Sequence, residues 1–228
     1  MGESVGYGSA QNTLGISMNL EMFVVAYKEP EVTQKAIDSF RNTGGDCKVT
    51  VLDNSPERLF FEFAEDRYFF PWNPSLTRVW NWAIAMAKTD WVLICNSDVE
   101  FKKGWLEKFQ SQEHMGQGLV HNHFYAFFIN KEAVRRVGWF DERFTDGYYE
   151  DLDYVRRLYC AGLPWIMDSF VNEIEHQHRA DAPRFPSVVN PVWYQKKWGD
   201  MKRFNELSIS HCGQALEPEH NWYPHVQL

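Results

Sequence analysis

Two stretches of the sequence carry acidic groups where a buried strand would ordinarily just end. Trp91 to Phe101 reads WVLICNSDVEF, an apolar run that passes straight into Asn96, Ser97 and Asp98. Lys48 to Leu52, KVTVL, runs likewise into Asp53, Asn54 and Ser55. Further along, Glu150, Asp151 and Asp153 set three carboxylates within four residues, directly after Tyr148 and Tyr149. Such carboxylates repel one another unless a cation or a substrate uses them, and the tyrosines would wall a pocket. His176 and His178 alternate, so in a strand they share one face, with Glu175 on the other, and are metal-capable. Each feature also has a plainer account. An Asp after a strand commonly forms a turn, acids at a helix start suit the dipole and capping, and a histidine can be a satisfied polar group.

The elements that must position these groups follow from periodicity. Leu20 to Tyr27, LEMFVVAY, is an apolar strand, and Pro30 then suits the first turn of a helix in which Val32, Ala36, Ile37 and Phe40 recur at helical spacing. Gly44-Gly45 ends that helix. The strand at 48–52 follows, then a short strand at Tyr68–Phe70. Ser75 to Lys88 forms a helix with Leu76, Val79, Trp80, Ala83 and Ala87 on one face, and the strand from Trp91 comes next. Strands alternating with helices predict an α/β fold with a largely parallel sheet, whose ligands sit beyond the carboxyl ends of the strands. Further elements are expected as a strand at Phe124–Ile129, a short helix at Lys131–Val137, a helix from Glu150 to a stop at Gly162, a strand at Phe170–Ile174, and an aromatic, basic helix within Pro191–Phe204.

The bulk numbers narrow the classes. The chain has 228 residues, 44% of them hydrophobic, with ten Trp, ten Tyr and seventeen Phe, which supplies a sizeable core and argues against disorder. A net charge of -8 speaks against broad electrostatic binding to nucleic acid or anionic membrane. No run approaches the roughly 18 apolar residues of a membrane span. The four cysteines form no CxxC pair, so a reducing, cytoplasmic setting without a disulfide framework is expected. Residues 1–18 read as a Gly/Ser-rich lead-in without signal-peptide layout, 19–206 as one domain whose two halves, about 19–101 and 102–206, become a donor half and an acceptor half under the resemblance described next, and 207–228 as a tail packing on it.

Taken in order, the motifs resemble the GT-A fold glycosyltransferases, specifically the large inverting family 2. That family opens with a strand ending near Thr-Tyr-Asn, where this chain has Ala26-Tyr27-Lys28. Its Val-Asp-Asn-x-Ser is matched, one residue tighter, by Leu52-Asp53-Asn54-Ser55. Its N-x-G-x-x-x-x-x-N is similar to Asn73-Pro74-Ser75 through Asn81, with Ser75 in place of the glycine. Asn96-Ser97-Asp98-Val99 resembles the Leu-Asn-x-Asp-Val form of its DxD metal motif. Gly138 to Phe144, then Glu150-Asp151-Leu152-Asp153, Arg156-Arg157 and Ala161-Gly162, resembles the specific G-x-F-D-E-x-F…E-D-x-D…R…A-G signature.

The resemblance implies a metal-dependent inverting transfer of a sugar from a nucleoside-diphosphate donor to an acceptor hydroxyl. Asp98 would be the carboxylate ligand of Mn²⁺ or Mg²⁺, completed by His176 or, failing that, His178; oxygen ligands with phosphate suit those ions better than zinc. Asn96 and Ser97 would touch ribose or a metal-bound water, Asp53 and Asn54 the base or ribose, Tyr27 the base face, and Arg78 the diphosphate unless it is a solvated helix residue. Asp151 would be the general base, with Glu150 and Asp153 supporting it, and a base near a cation would titrate low. Trp139, Phe140, Tyr148 and Tyr149 would form an acceptor rim, and Trp193 to Trp198 either extends it or closes the fold. The donor expected first is a uridine diphosphate sugar and next a deoxythymidine diphosphate sugar; the acceptor is a carbohydrate, a lipid-linked molecule or another hydroxyl. Competing readings are a nucleotide-sugar pyrophosphorylase, which lacks its Gly-rich basic loop here, a non-catalytic nucleotide-sugar binding protein, and a transferase acting on a modified nucleic-acid base through Lys196-Lys197 and Lys202-Arg203.

Overall fold

Leu20–Ala26 (β1) is buried at every position, which is what a strand covered on both faces requires of its sequence. In the computed structural model, which describes residues 19–58, 64–72, 74–112, 118–145, 147–167, 170–177 and 189–199, β1 is the middle of the parallel part of the sheet. Val49–Asp53 (β2) and Trp91–Asn96 (β4) flank it, both parallel, and Asp66–Phe69 (β3) lies parallel outside β2. Helix α1 (Pro30–Asn42) crosses from β1 to β2, and α2 (Leu76–Met86) carries the chain from β3 back across to β4 on the other side of β1. The connection therefore reverses direction between β1 and β4, the switch point at which open α/β sheets form a ligand crevice.

The sheet is mostly parallel, as expected, and beyond β4 it adds antiparallel neighbours. Ala126–Asn130 (β7) runs antiparallel to β4, Leu119–Asn122 (β6) antiparallel to β7, and Trp165–Met167 (β8) parallel to β6, giving the order β3-β2-β1-β4-β7-β6-β8. Val99–Phe101 (β5) and Ile174–His176 (β9) pair as a separate antiparallel ribbon. The strand expected at 124–129 begins two residues late, because His123 and Phe124 take left-handed φ values of 47° and 58° and turn the chain. The strand expected at 170–174 begins where it was to end, since 170–173 form a turn. Strands β5, β6 and β8 have three or four residues each, too few for a period to register, and they and helix α3 (Trp105–Gln112) went unread.

Alternate residues of each strand feed two cores. Met22, Val24, Leu93 and Phe128 pack with Ile37 and Phe40 of α1 and Trp105 and Phe109 of α3. Phe23, Val25, Ile94 and Phe127 pack with Val79, Trp80 and Ile84 of α2, with α4 (Lys131–Val137), and with Val155 and Leu158 of α5 (Glu150–Cys160). Among the described residues no helix is long and apolar enough to cross a membrane. Cys47 and Cys95 are buried thiols, and burial pushes Cys47 up to about 12. Cys160 is disulfide-bonded, contrary to the expectation of free thiols throughout. It sits half-buried in the last turn of α5 rather than in the core, and the argument from cysteines for a reducing compartment falls with it.

One side chain ties the two halves together. Asn81 of α2, wholly buried, donates to the Phe140 carbonyl (2.9 Å) and to Glu142 Oε1 (3.0 Å), and its Oδ1 accepts from the Phe140 amide (2.9 Å). Thr77, one turn earlier, donates to the Phe144 carbonyl at 3.1 Å. Replacing Asn81 with Leu leaves the buried Phe140 amide and carbonyl without partners, an expected loss of about 3 kcal/mol. Urea denaturation would show this as a lower midpoint at unchanged slope.

Candidate functional site

The register puts the strand ends level. Ala26 pairs with Asp53 across β1–β2, and Val25 with Asn96 across β1–β4, so Tyr27, Asp53 to Ser55 and Asn96 to Asp98 emerge along one edge. After β1, Lys28 and Glu29 take left-handed φ values of 57° and 65°, and the Lys28 amide donates to Ser55 Oγ (2.7 Å). The Asn54 amide donates to the Ala26 carbonyl (2.9 Å), and the Ser55 amide to Asp53 Oδ1 (3.0 Å). Asp53 and Asn54 are buried at the floor, and Asn54 Oδ1 has no hydrogen-bond partner in the protein. Tyr27 stands above them, 45% exposed, with the Lys28 ammonium 5.0 Å from its ring centre.

Next to them, the β5–β9 ribbon brings His176 to Asp98. Val99 pairs with His176, the Gln177 amide donates to the Asp98 carbonyl (2.7 Å), and His176 Nε2 lies 3.1 Å from Asp98 Oδ2. The His176 ring stacks on Tyr125 with 4.7 Å between centres and 8° between planes. Tyr125 is itself fixed, its carbonyl accepting from the Asn96 amide at 2.8 Å. The Asp98 and His176 side chains are 21% and 20% exposed, open enough to be reached and enclosed enough to be held. One carboxylate oxygen and one imidazole nitrogen at this spacing fit a hard divalent cation that takes its other ligands from phosphate and water. Among the described residues no group of three or more His, Cys, Asp or Glu could hold a metal, so a closed protein-only site is not built here. Strand β9 ends at His176, and His178 lies outside the described residues. A groove of about 780 Å³ along α1 touches Ser97, Asp98 and Gln177 but not Tyr27, Asp53 or Asp151, so it lies behind the strand-end row.

The third group of carboxylates sits at the start of α5. Tyr148 and Tyr149 take left-handed φ values of 67° and 72° just before it. Asn190 of α6 (Val189–Trp198), buried, donates to the Gly147 and Tyr148 carbonyls (2.9 and 3.0 Å) and accepts from the Thr145 amide (3.2 Å). Asp151 is half-buried, and its Oδ1 accepts from the Leu152 amide at 2.8 Å. Phe140 stacks on Tyr154 at 4.0 Å and lies 6.3 Å from Phe124, which connects the helix start to the 123–125 turn beside Asp98. The His123 ring lies 6.3 Å from Tyr125, which stacks on His176, and His123 also acts electrostatically on Asp151, so the Asp98–His176 pair and Asp151 both neighbour the 123–125 turn.

Several expected residues are placed elsewhere. Asp153 is 0% exposed and is held by Arg157 Nε (3.0 Å), Lys197 Nζ (2.9 Å) and Trp198 Nε1 (2.8 Å), so it cannot meet an acceptor and instead fixes α5. Phe140 is core, not rim. Trp139 and Tyr149 are half-buried and Tyr148 is 58% exposed, so those three remain at the surface of the cleft. Arg78 is engaged by Glu142 at 3.2 Å. Helix α6 closes the fold, with Lys197 bound to Asp141 and Asp153. Sequence reading missed His123, which was assigned to no element, and Tyr125, which was read only as part of the strand expected at 124–129, and it missed Asn190, an isolated polar residue with no pattern to mark it.

The electrostatics reverse one expectation. Asp151 was to titrate low; burial instead raises it, opposed by backbone amides at the helix start and by the His123 charge. Glu150, 5% exposed and with Oε2 lacking a partner, is pushed up to about 8 by burial and then by the charge on Asp151. Both carboxyls are held above the usual carboxylate range by burial, and they titrate as a pair. A carboxyl raised in the folded state keeps its proton while the unfolded chain has lost it, so stability falls as pH rises from about 4.5 to about 8. Glu150→Gln removes that charging cost. The wild-type melting temperature should drop from pH 5 to pH 9, and the variant should recover on the order of 5 °C at the alkaline end, as read by scanning calorimetry.

The comparisons agree with this geometry. The family described as Glycosyl transferase family 2 matches residues 22–157, well over half of the chain. No curated protein matches. Among solved structures, the catalytic domain of Drosophila β1,4-galactosyltransferase 7, determined with xylobiose, superposes with a TM-score of 0.51 at 13% identity, covering 84% of this chain and 82% of that one. The mannosyltransferase PcManGT from Pyrobaculum calidifontis, determined with GDP-Man and Mn²⁺, gives 0.52 at 13% identity over 65% of this chain and 54% of that one. With the sheet reversing between β1 and β4 and the family match running from β1 into α5, the chain belongs to glycosyl transferase family 2 and is a glycosyltransferase of the GT-A fold.

Proposed function

We propose that the protein is a metal-dependent, inverting glycosyltransferase that moves a sugar from a nucleoside-diphosphate sugar to an acceptor hydroxyl. What supports this is the 123–125 turn, which has the Asp98–His176 pair (3.1 Å) beside it through Tyr125 and the Asp151 carboxylate within electrostatic reach of His123. In this reading the nucleotide lies along the strand ends. Tyr27 covers the base face and Asn96 and Ser97 meet the ribose or a bound water, while Asp53 and Asn54, enclosed beneath them, hold the floor through the Ser55 amide and the Ala26 carbonyl rather than touching the nucleotide. Asp98 and His176 hold the divalent cation. Mn²⁺ or Mg²⁺ there supplies Lewis-acid stabilisation of the diphosphate as it leaves.

The remaining chemistry belongs to this chain's side chains. Asp151 accepts the proton of the acceptor hydroxyl while that oxygen bonds to the anomeric carbon and the bond to the diphosphate breaks. One base and one in-line displacement invert that carbon. Glu150, protonated at neutral pH, adds no second charge beside an anionic donor. Trp139, Tyr148 and Tyr149 offer aromatic surface on the acceptor side. A uridine diphosphate sugar is the first donor to test, then deoxythymidine diphosphate and guanosine diphosphate sugars, the last because PcManGT was solved with GDP-Man. A nucleic-acid acceptor is weakened, since Lys197 is tied to Asp141 and Asp153.

Asp151→Asn keeps the size of the base and removes its basicity. Turnover should fall on the order of a thousandfold with donor affinity unchanged, measured by steady-state rates and calorimetry; unaltered turnover removes the assignment, and a wild type that binds donor without turnover makes the protein a non-catalytic binder. Asp98→Ala should abolish the rise in melting temperature that Mn²⁺ with nucleoside diphosphate gives the wild type, because linkage stabilises only a state that binds. A variant that still shows that rise places the cation elsewhere.

A further inference from the structure

His123 has no part in the roles above, yet backbone strain is concentrated on placing it. His123 and Phe124 are both left-handed (φ 47° and 58°), a conformation unfavourable for residues with a Cβ, and such strain persists only where the surroundings enforce it. Phe124 supplies the enforcement. It is buried against Trp80 (5.9 Å), Phe127 (5.1 Å) and Phe140 (6.3 Å). With Phe124 drawn into the core, the preceding side chain is directed outward, and His123 is exposed. Its ring lies 6.3 Å from that of Tyr125, which stacks on His176, which in turn meets Asp98. On the far side, Phe140 links the same turn to Tyr154, one helical turn beyond Glu150, and the His123 charge is felt at Asp151. The turn therefore stands between the pair that would hold the diphosphate and the carboxylate that would activate the acceptor. The transferred sugar has to lie between those two, since its anomeric carbon is bonded to one and attacked from the other.

We infer that His123 contacts the transferred sugar, its imidazole hydrogen-bonding a hydroxyl of the donor's sugar ring, and so helps decide which sugar is accepted. This rests on the transfer reading above. An imidazole can both donate and accept, which suits a hydroxyl. A site that hydrogen-bonds a hydroxyl discriminates far better than one that only fits a shape, because the wrong sugar leaves the polar group unpaired.

The test uses the full chain as wild type, His123→Ala and His123→Asn, the last keeping a donor and an acceptor on a short side chain. Calorimetry with Mn²⁺ compares UDP, UDP-glucose, UDP-galactose, UDP-N-acetylglucosamine, GDP and GDP-mannose, and transfer or donor hydrolysis gives kcat/KM. His123→Ala should bind the free nucleoside diphosphate as the wild type does, lose about tenfold or more in kcat/KM for the preferred nucleotide sugar, and narrow the preference among sugars. His123→Asn should recover part of the loss. Unchanged kcat/KM and unchanged sugar preference overturn the inference, and so does an equal loss of affinity for free nucleoside diphosphate, which would mean a structural or phosphate role. A wild type that binds none of these nucleotides defeats the transfer reading, and the inference with it; a wild type that transfers normally beside an equally active His123→Ala defeats the inference alone.

Discussion

The Asp153 carboxylate is the contact on which the acceptor side depends. It is fully enclosed, and its two oxygens take Arg157 from its own helix and Lys197 and Trp198 from α6. A buried ion cluster of this kind is costly to break, since losing one partner strands the others in a poorly solvating interior. Its consequence here is geometric. With Asp153 pinned on the buried side of the first turn of α5, Asp151 is left half-buried and Glu150 enclosed, and Asn190 fixes the chain just before them through the Gly147 and Tyr148 carbonyls. The three acids that look alike in sequence are therefore one structural anchor, one enclosed carboxyl and one half-buried carboxylate that a substrate could reach.

Strain marks the same edge of the molecule. The described non-glycine residues with positive φ come as three consecutive pairs: Lys28–Glu29, His123–Phe124 and Tyr148–Tyr149. One pair follows β1, one precedes β7 and one opens α5, so each turns the chain at the end of an element. Each is held by a neighbour that can resist relaxation: the Lys28 amide on Ser55, Phe124 in the core, Asn190 on the Tyr148 carbonyl. A sheet whose strands are buried on both faces is rigid, and it is the loops at its carboxyl ends that absorb unfavourable backbone geometry to aim side chains.

The parallel half of the fold was legible because β1, β2 and β4 are continuous apolar runs and α1 and α2 repeat at helical spacing. Asp53, Asp98 and the α5 acids were legible because acidic groups interrupt strong patterns. Short elements were not: β5, β6 and β8 are too brief for a period to register, and β9 is defined by pairing with β5 rather than by its own residues. The roles within the acid cluster were equally hidden, because what separates Asp153 from Asp151 is the arrival of Lys197 and Trp198 from more than forty residues away. The same holds for Phe140, which the motif placed beside a substrate and packing places against Tyr154.

Charge balance across the cleft explains why Glu150 stays uncharged. A donor diphosphate brings negative charge to the Asp98–His176 side, and a second carboxylate ionised beside Asp151 would repel both the donor and the first carboxylate through a poorly screened interior. Burial supplies the remedy: among the described residues Glu150 Oε2 finds no hydrogen-bond partner, and desolvation, with the Asp151 charge beside it, disfavours its anion. One negative charge at the acceptor side is enough to accept a proton. His123, exposed between the two sides, supports that single charge on Asp151.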